Sequence, residues 1–234
     1  MLFNKKILIT NDDGIFSEGL KALTEEIYKI TPNILIVAPA KEQSAVSHSM
    51  TIRRGLTLKK VNSLYLDVAT YTLDGTPSDC IKVAYHYLNY HPDYVVSGIN
   101  NGFNLGDDIL YSGTVAACFE AYLLKVKSIA FSCDVGQFET KRYIKNVIDY
   151  IDKSKELSER MLLNVNIPLS PLGIKITKQG KNPYNTSYLL KDGMLYVEGK
   201  SIAEKVLQDE NADVFVVSKG YISITPLTID RTEY

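Results

Sequence analysis

The sequence predicts an α/β fold, a Rossmann-like arrangement of three layers around a mostly parallel sheet, followed by a β-rich C-terminal extension. Short continuous apolar runs of strand length alternate with helical patterns through the first part of the chain. Polar and glycine-rich segments directly follow these runs, as loops do at the carboxyl edge of a parallel sheet. Beyond about residue 162, short β-type runs with Gly and Asn turns replace the helical patterns.

The N-terminal part predicts a strand–helix–strand unit. Residues 7–9 and 34–38 are apolar runs typical of strands buried on both faces, and Pro39 ends the second run. Between them, behind Ser17 as a helix cap, apolar residues recur at helical spacing: Leu20, Leu23, Ile27 and Ile30. A βαβ unit of this kind is right-handed, and its two strands are parallel.

The next segments continue the alternation after a polar loop at residues 41–50. Predicted strands or β segments lie at residues 56–73, 94–97 and 128–132, and predicted helices at residues 78–88, 114–124 and 143–151. Residues 1–161 are therefore interpreted as the α/β core that carries the active site, and residues 162–234 as a β-rich region. Whether the two parts share one domain stays open.

Composition excludes several classes of protein. Hydrophobic residues make up 45% of the 234 residues and charged residues 23%, which is ordinary for a globular protein. Lys and Arg total 26 against 27 Asp and Glu, so the net charge gives no electrostatic attraction that would favour binding to nucleic acid or to an anionic membrane. No stretch approaches the ~18 apolar residues of a membrane span, and no secretory signal is recognisable. Three widely spaced cysteines without CxxC spacing favour a reduced, cytoplasmic setting.

The most informative local feature is an acidic pair at the end of the first predicted strand. Asn11, Asp12, Asp13 and Gly14 directly follow the apolar run. Adjacent carboxylates repel each other unless a cation lies between them, and oxygen ligands suit Mg²⁺ or Mn²⁺. Helix capping or a simple turn is the alternative interpretation.

Polar loops after later strands are expected to meet this pair. Ser44 and His48 lie in the loop after the second strand, where a hydroxyl could complete a metal shell. We interpret His48 as a loop residue or substrate contact. The loop at residues 97–108 carries Asn100, Asn101 and Asn104, whose amides offer both carbonyl ligands and donors.

A fourth segment opens the alanine-rich helix. Ser112, Gly113 and Thr114 combine hydroxyls, a glycine and the free N–H groups of a helix start, which together form an anion cradle. An ordinary Ser/Thr N-cap is the equally weighted alternative.

Several short motifs, ordered along nearly the whole chain, match one family. They are Ile-Thr-Asn-Asp-Asp-Gly at residues 9–14, Val-Ala-Pro at 37–39 with Ser44 behind it, Asp-Gly-Thr-Pro-Ser-Asp-Cys at 74–80, Val-Ser-Gly-Ile-Asn-Asn-Gly at 96–102, Asn-Leu-Gly-Asp-Asp at 104–108, Tyr-Ser-Gly-Thr-Val-Ala-Ala at 111–117 and Gly-Tyr-Ile-Ser-Ile-Thr-Pro-Leu at 220–227. With these motifs the chain resembles the SurE (survival protein E) family of 5′/3′-nucleotidases.

The resemblance implies a metal-dependent phosphatase acting on nucleoside 5′- and 3′-monophosphates, and in some members on short polyphosphate. It implies one divalent ion, Mg²⁺ or Mn²⁺, per subunit, held by Asp12, Asp13, Ser44 and Asn100, with the two aspartates catalytic. Predicted phosphate contacts are Asn11, Asn104, Ser112, Gly113 and Thr114.

The resemblance also implies a homodimer or homotetramer in which subunits exchange C-terminal segments. One departure stands out. Family members usually carry an aromatic, often tryptophan-containing β segment after the position of Asn166, whereas residues 180–199 are short and the chain has no tryptophan.

The resulting hypothesis is phosphomonoester hydrolysis, with the metal polarising the phosphoryl group and the helix start at Thr114 offsetting its charge. Direct attack by water and an aspartyl-phosphate intermediate on Asp12 both stay open. The alternatives are a receiver-like signalling domain and a non-catalytic nucleotide- or phosphate-binding module. A receiver would be about half as long and would need a phospho-accepting Asp at the end of a central strand.

Overall fold

The structure of the chain is a computed structural model, and it describes residues 2, 4–62, 66–181, 184–201 and 209–232. The helices are α1 (Glu18–Tyr28), α2 (Pro77–Lys82), α3 (Gly113–Leu123), α4 (Ile144–Lys153), α5 (Lys155–Ser158) and α6 (Asp213–Ser218). The strands are β1 (Ile7–Thr10), β2 (Ile34–Pro39), β3 (Leu58–Val61), β4 (Ala69–Leu73), β5 (Tyr94–Asn101), β6 (Lys127–Cys133), β7 (Leu162–Ile167), β8 (Ile174–Ile176), β9 (Tyr184–Lys191), β10 (Met194–Ser201) and β11 (Ile222–Pro226).

Nine of the described strands form one sheet in the order β3-β4-β2-β1-β5-β6-β7-β11-β8. The six strands from β4 to β7 in this order are parallel. At one edge β3 runs antiparallel to β4, and at the other end β11 runs antiparallel to β7 and parallel to β8. The predicted α/β fold with a mostly parallel sheet is confirmed.

The strand order reverses between β1 and β5. From β1 the chain proceeds through β2 to β4 on one side, and from β5 through β6 to β7 on the other. Loops leaving the carboxyl ends of β1 and β5 therefore diverge, and a crevice opens between them. In open α/β sheets this switch point is where ligands bind.

Helices cover both faces of the sheet. One core cluster packs α1 and α4 against one face, with Leu23 and Ile148 among its buried residues. On the other face, α2 and α3 pack through residues such as Ile81 and Ala117. Both faces of β1 are thereby buried, which explains why residues 7–9 are apolar without alternation.

Two predicted elements differ in detail from the structure. The helix predicted at residues 78–88 consists of α2 followed by a π-helical turn, Val83–Tyr87. The strand predicted at residues 94–97 continues to Asn101. Residues 63–65 of the predicted β region 56–73 lie outside the described residues, and β3 and β4 lie on either side of them.

The chain after residue 161 adds strands to the same sheet, because β7 pairs in parallel with β6 and β11 pairs with β7. The domain boundary at residue 161 stays a prediction. Residues 184–201 form an antiparallel hairpin of β9 and β10, which in the described residues pair only with each other. In the described part of the chain, no helix is long and apolar enough to cross a membrane.

Candidate metal and phosphate site

The turn after β1 is held by the side chain of Asn11. This side chain is fully buried, and its Nδ2 donates to the Gly14 carbonyl at 3.0 Å and to Ser17 Oγ at 2.7 Å. Gly14 has a φ of +95°, and a Cβ there would lie 3.2 Å from the backbone carbon of Lys41. Asn11 and Gly14 therefore fix the backbone on which Asp12 and Asp13 lie.

Asp12 is held against the start of α3. The Thr114 backbone N–H donates to Asp12 Oδ2 at 3.1 Å, and the Thr114 hydroxyl donates to Asp12 Oδ1. Gly113 makes this approach possible, because a Cβ on it would lie 2.8 Å from Asp12 Cβ. Burial raises the pKa of the Asp12 carboxyl, although the hydrogen bonds from Thr114 act in the opposite direction.

Asp13 is less buried than Asp12, and its side chain is held by a longer hydrogen bond. Its Oδ2 accepts a hydrogen bond from the Asn101 backbone N–H at 3.3 Å. Burial raises the pKa of Asp13 to about 6, and the negative charges of Asp12 and Glu42 contribute to the same shift. The site therefore concentrates negative charge that a cation would relieve.

A bulge in β5 determines which face of the sheet Asn100 occupies. Between Ser97 and Asn100, β5 advances three residues while β6 advances two. As a result Ile99 lies in the same core cluster as Val96, three residues earlier, so the alternation has switched. Asn100 consequently faces α3, and its Oδ1 lies 3.4 Å from Thr114 Oγ1.

The loop after β2 brings Ser44 to the same crevice. The Gln43 backbone N–H donates to the Asp12 carbonyl at 2.7 Å, which fixes the loop beside the acidic pair. The Ser44 hydroxyl donates to Glu42 Oε1 at 2.5 Å. Ser44 and Glu42 are both solvent-exposed, so they border the site from its open side.

Asn104 is fixed by a buried polar network. Its carbonyl accepts hydrogen bonds from the side chains of Asn164 at 2.8 Å and Asn166 at 3.1 Å. Its backbone N–H donates to Asn166 Oδ1 at 2.8 Å, and its Nδ2 donates to Ser132 Oγ at 2.8 Å. Strands β6 and β7 thus orient the Asn104 amide at the edge of the crevice.

Ser112 is the N-cap of α3, since its Oγ accepts a hydrogen bond from the Val115 backbone N–H at 3.1 Å. The capping interpretation of this segment is confirmed. The helix still directs the positive end of its dipole toward the acidic pair. Contacts of Ser112, Gly113 and Thr114 with phosphate stay predictions.

These residues surround one open cavity of about 250 Å³. Its lining includes Asp12, Asp13, Glu42, Ser44, Ala45, Asn100, Asn101, Asn104, Asp108, Tyr111 and Ser112. The structure thus brings together the predicted metal ligands with Asn104 and Ser112. Asn11, Gly113 and Thr114 lie behind the wall and support it.

The chemistry of the lining fits a hard divalent cation. Four carboxylates line the cavity, together with amide and hydroxyl oxygens, and none of the described lining residues is lysine or arginine. A phosphate dianion would be repelled by this lining unless a cation were bound. No group of three His, Cys, Asp or Glu side chains in the described part of the chain is arranged to hold a metal, so a cation bound here would also need neutral oxygen ligands.

Sequence reasoning did not include Glu42 and Tyr111 among the site residues. Glu42 could have been suspected because it is a carboxylate that lies only two positions before Ser44. For Tyr111 the available signal was its place directly before Ser112 in a predicted site segment, and its largely exposed side chain borders the cavity.

The ligand set predicts how metal binding depends on pH. Because the pKa of Asp13 is about 6 in the folded protein, Asp13 holds a proton below that pH, and a cation must displace it. We expect the affinity for Mn²⁺ to fall by at least about tenfold per pH unit below pH 6, since burial raises the pKa of Asp12 as well. Calorimetric titration between pH 5 and 8 measures this, and an affinity independent of pH over that range would contradict it.

Comparisons with known proteins agree with this architecture. A sequence model of the family described as Survival protein SurE matches residues 7–186. The chain belongs to the SurE family. A 5′-nucleotidase SurE from Clostridium botulinum (strain Eklund 17B / Type B) is 39% identical over 241 residues, covering 97% of this chain and 95% of the relative.

Other SurE proteins match over a similar extent. A 5′-nucleotidase SurE from Thermoanaerobacter sp. (strain X514) is 42% identical over 243 residues, covering 98% of this chain and 94% of the relative. The crystal structure of the SurE protein from Aquifex aeolicus superposes with a TM-score of 0.80 at 34% identity, covering 98% of this chain and 95% of that one. The resemblance predicted from the short motifs is therefore confirmed.

Proposed function

We propose that this SurE-family chain is a divalent-metal-dependent phosphomonoesterase that hydrolyses nucleoside 5′-monophosphates, and also 3′-monophosphates and short polyphosphate. The observation that carries the proposal is the cavity at the switch point, where four carboxylates and no described basic side chain lie beside a helix N-terminus. Relatives about 40% identical over nearly their full length are named 5′-nucleotidase SurE, which supports the same reaction.

We assign the metal, Mg²⁺ or Mn²⁺, to Asp12, Asp13, Ser44 and Asn100. When bound, such an ion polarises the phosphoryl group and lowers the pKa of a water nucleophile. The chain's own part is to hold the ligands. Thr114 fixes the Asp12 carboxylate through two donors, and the bulge in β5 directs Asn100 toward it.

We assign phosphate binding to the α3 side of the cavity. The positive end of the α3 dipole offsets charge on the phosphoryl oxygens, with Ser112 at the wall and Gly113 and Thr114 behind it. The Asn104 amide, held by Asn164, Asn166 and Ser132, completes this wall. Asn11 contributes to phosphate binding indirectly, because it fixes the turn that carries Asp12 and Asp13.

The mouth of the cavity supports a nucleotide rather than a small phosphate ester. Tyr111 is 60% exposed and borders the cavity next to Ser112. An exposed aromatic ring can stack on the face of any nucleobase, so it favours nucleotides without selecting one base.

Phosphate release from a panel of 5′- and 3′-nucleotides and tripolyphosphate tests the proposal. We expect turnover of nucleoside monophosphates with Mn²⁺ or Mg²⁺ and none in EDTA, because the carboxylate-lined cavity repels phosphate without a cation. Equal activity in EDTA would exclude the metal-dependent reaction. Tight nucleotide binding without phosphate release would instead indicate a non-catalytic binding module.

We further propose that subunits associate through the hairpin of β9 and β10 to give a homodimer or homotetramer. Directly opposed pairs, Tyr188 with Val197 and Leu190 with Leu195, place four apolar side chains on one face. Each is exposed by 64–67%, and an isolated two-stranded hairpin is marginally stable in water. Association would bury this face.

A double substitution, Leu190→Lys with Leu195→Lys, is expected to reduce the oligomer to a smaller species, because burying two charges without partners costs several kcal/mol. Light scattering coupled to size-exclusion chromatography measures the mass. Leu172→Lys is the matched control, since Leu172 is 72% exposed and lies outside the hairpin. An unchanged mass for the double variant would contradict the proposed interface.

The proposed setting is the cytoplasm. Cys80, Cys118 and Cys133 are free thiols buried in the structure, which supports a reducing environment. The balance of 26 basic and 27 acidic residues supports a small-molecule substrate rather than nucleic acid.

A further inference from the structure

A buried carboxylate lies behind the site, on the side chain of Glu120 in α3. Only 4% of this side chain is exposed, and it contacts side chains from two other parts of the chain. His48 Nε2, in the loop after β2, lies 3.0 Å from Glu120 Oε2. Lys82 Nζ, at the end of α2, lies 2.8 Å from Glu120 Oε1.

We propose that Glu120 is a positioning residue, which through His48 holds the loop at residues 41–50, and with it Ser44 and Glu42, against Asp12 and Asp13. The inference rests on the proposed metal site. Neither Glu120 nor His48 lines the cavity, so any effect must pass through the loop.

The first argument is charge. A buried carboxylate is costly unless it is paired. Burial pushes the pKa of the Glu120 carboxyl upward, but the hydrogen bond with His48 and the ion pair with Lys82 outweigh burial and leave the pKa lowered. Lys82 Nζ, on α2, pairs with Oε1 of Glu120, so the second oxygen of Glu120 is available to hold His48.

The second argument is the path of the loop along α3. Gly113 and Glu120 are seven residues, or about two turns, apart, so they lie on the same face of the helix. A Cβ on Gly113 would lie 3.2 Å from Val46 Cγ2, so the loop packs on the helix start. Two residues later His48 reaches Glu120, and the loop is thereby fixed at two points of one helix face.

The third argument is backbone conformation. Ala45 and Ser47 have φ values of 53° and 52°, a region that residues with a Cβ adopt rarely and at a cost. Such a conformation persists only where surrounding contacts enforce it. Two backbone contacts, from Gln43 N–H to the Asp12 carbonyl and from Ser47 N–H to the Tyr111 carbonyl, secure the middle of the loop. At the end of the loop, the His48–Glu120 contact acts together with a hydrogen bond from the Thr76 hydroxyl to the Ser49 carbonyl at 2.8 Å.

The experiment compares Mn²⁺ binding and amide hydrogen exchange in the full-length protein and its variants. His48→Ala removes the contact and is expected to raise the Mn²⁺ Kd by about tenfold. In the metal-free state it should also speed exchange in peptides covering residues 41–50. His48→Gln is the conservative variant, because its amide nitrogen reaches as far as Nε2, and it should restore most of the affinity.

Glu120→Gln removes the charge from the other partner. We expect it to weaken Mn²⁺ binding to a similar extent. Because both substitutions break the same contact, the Mn²⁺ Kd of the double variant with His48→Ala should not exceed the larger Kd of the two single variants. Glu26→Gln is the matched control. Glu26 is a nearly buried carboxylate on α1, paired with Lys29 at 2.6 Å, and its loss should leave the Kd unchanged.

The outcomes separate this inference from the proposed function. If the unmodified protein binds no Mn²⁺, the metal site is wrong, while exchange in residues 41–50 still tests the loop contact. If the unmodified protein binds Mn²⁺ and His48→Ala binds it equally, with unchanged exchange in the loop, the positioning role is overturned. Should Glu120→Gln fail to fold, His48→Ala and His48→Gln still decide the question, because His48 is partly exposed.

Discussion

Asp12→Asn is expected to reduce Mn²⁺-dependent hydrolysis of nucleoside monophosphates by at least about a thousandfold, because it removes a charged ligand from a site with two. The protein should stay folded. Asparagine keeps one side-chain oxygen that can accept a hydrogen bond from Thr114. It also removes a buried negative charge, and the raised pKa of Asp12 shows that burial disfavours this charge. Steady-state kinetics and circular dichroism measure the two properties. Activity within tenfold of the unmodified protein would refute the assignment.

Asp13→Asn should abolish activity as well, while stabilising the metal-free protein. The pKa of Asp13 in the folded state, about 6, exceeds its ordinary value of 3.8. The protonated form therefore favours folding at low pH, and this contribution is lost as the pH rises through 6. At pH 7.5, removing the ionised group should raise the free energy of unfolding by on the order of 1 kcal/mol after allowance for its exposure. This corresponds to an increase of about 2–4 °C in Tm. A lower Tm in EDTA would contradict this.

Gly113→Ala is expected to lower kcat/KM by about a hundredfold, since a displacement of the order of 1 Å in a catalytic group can cost that much. The added Cβ would lie 2.8 Å from Asp12 Cβ and 3.0 Å from Asp12 Oδ2, so the carboxylate must move. Helix propensity alone would predict a slight stabilisation, because alanine is the better helix former.

Gly55→Ala serves as the control for Gly113→Ala, because no atom lies within 4 Å of the Cβ it would add. It should leave both kcat/KM and Tm within error of the unmodified protein. If Gly113→Ala also retained full activity, the close approach of α3 to Asp12 would have no catalytic importance.

Much of the site could be predicted from the sequence because its residues lie at the ends of buried strands. An apolar run without alternation implies a central strand that is buried on both faces. The residues that follow it therefore lie at the carboxyl ends of the strands, where ligands bind. Asp12 and Asp13 follow β1 directly, and Ser44 follows β2, so their convergence required only that the strands be parallel. The helix α1 was predictable because its apolar residues recur at helical spacing, and α3 because its segment is rich in alanine and free of helix breakers.

Other parts of the site depend on contacts between distant segments. The face on which Asn100 lies is set by one extra residue in β5, and strict alternation would have placed it away from α3. The orientation of Asn104 depends on Asn164 and Asn166, which lie 60 and 62 residues away. No local pattern carries this information, because these pairings arise only when β7 joins the sheet.

The hairpin of β9 and β10 has a consequence for how the protein can vary. Within the described residues its ladder of backbone hydrogen bonds is internal, so its removal would expose no edge among the nine described strands of the sheet that carries the crevice. Insertions, deletions and substitutions in residues 184–201 should therefore be tolerated by the catalytic part of the chain. With association through the hairpin as proposed, the surface that joins subunits and the crevice lie on separate parts of the chain, and either could be altered without rebuilding the other.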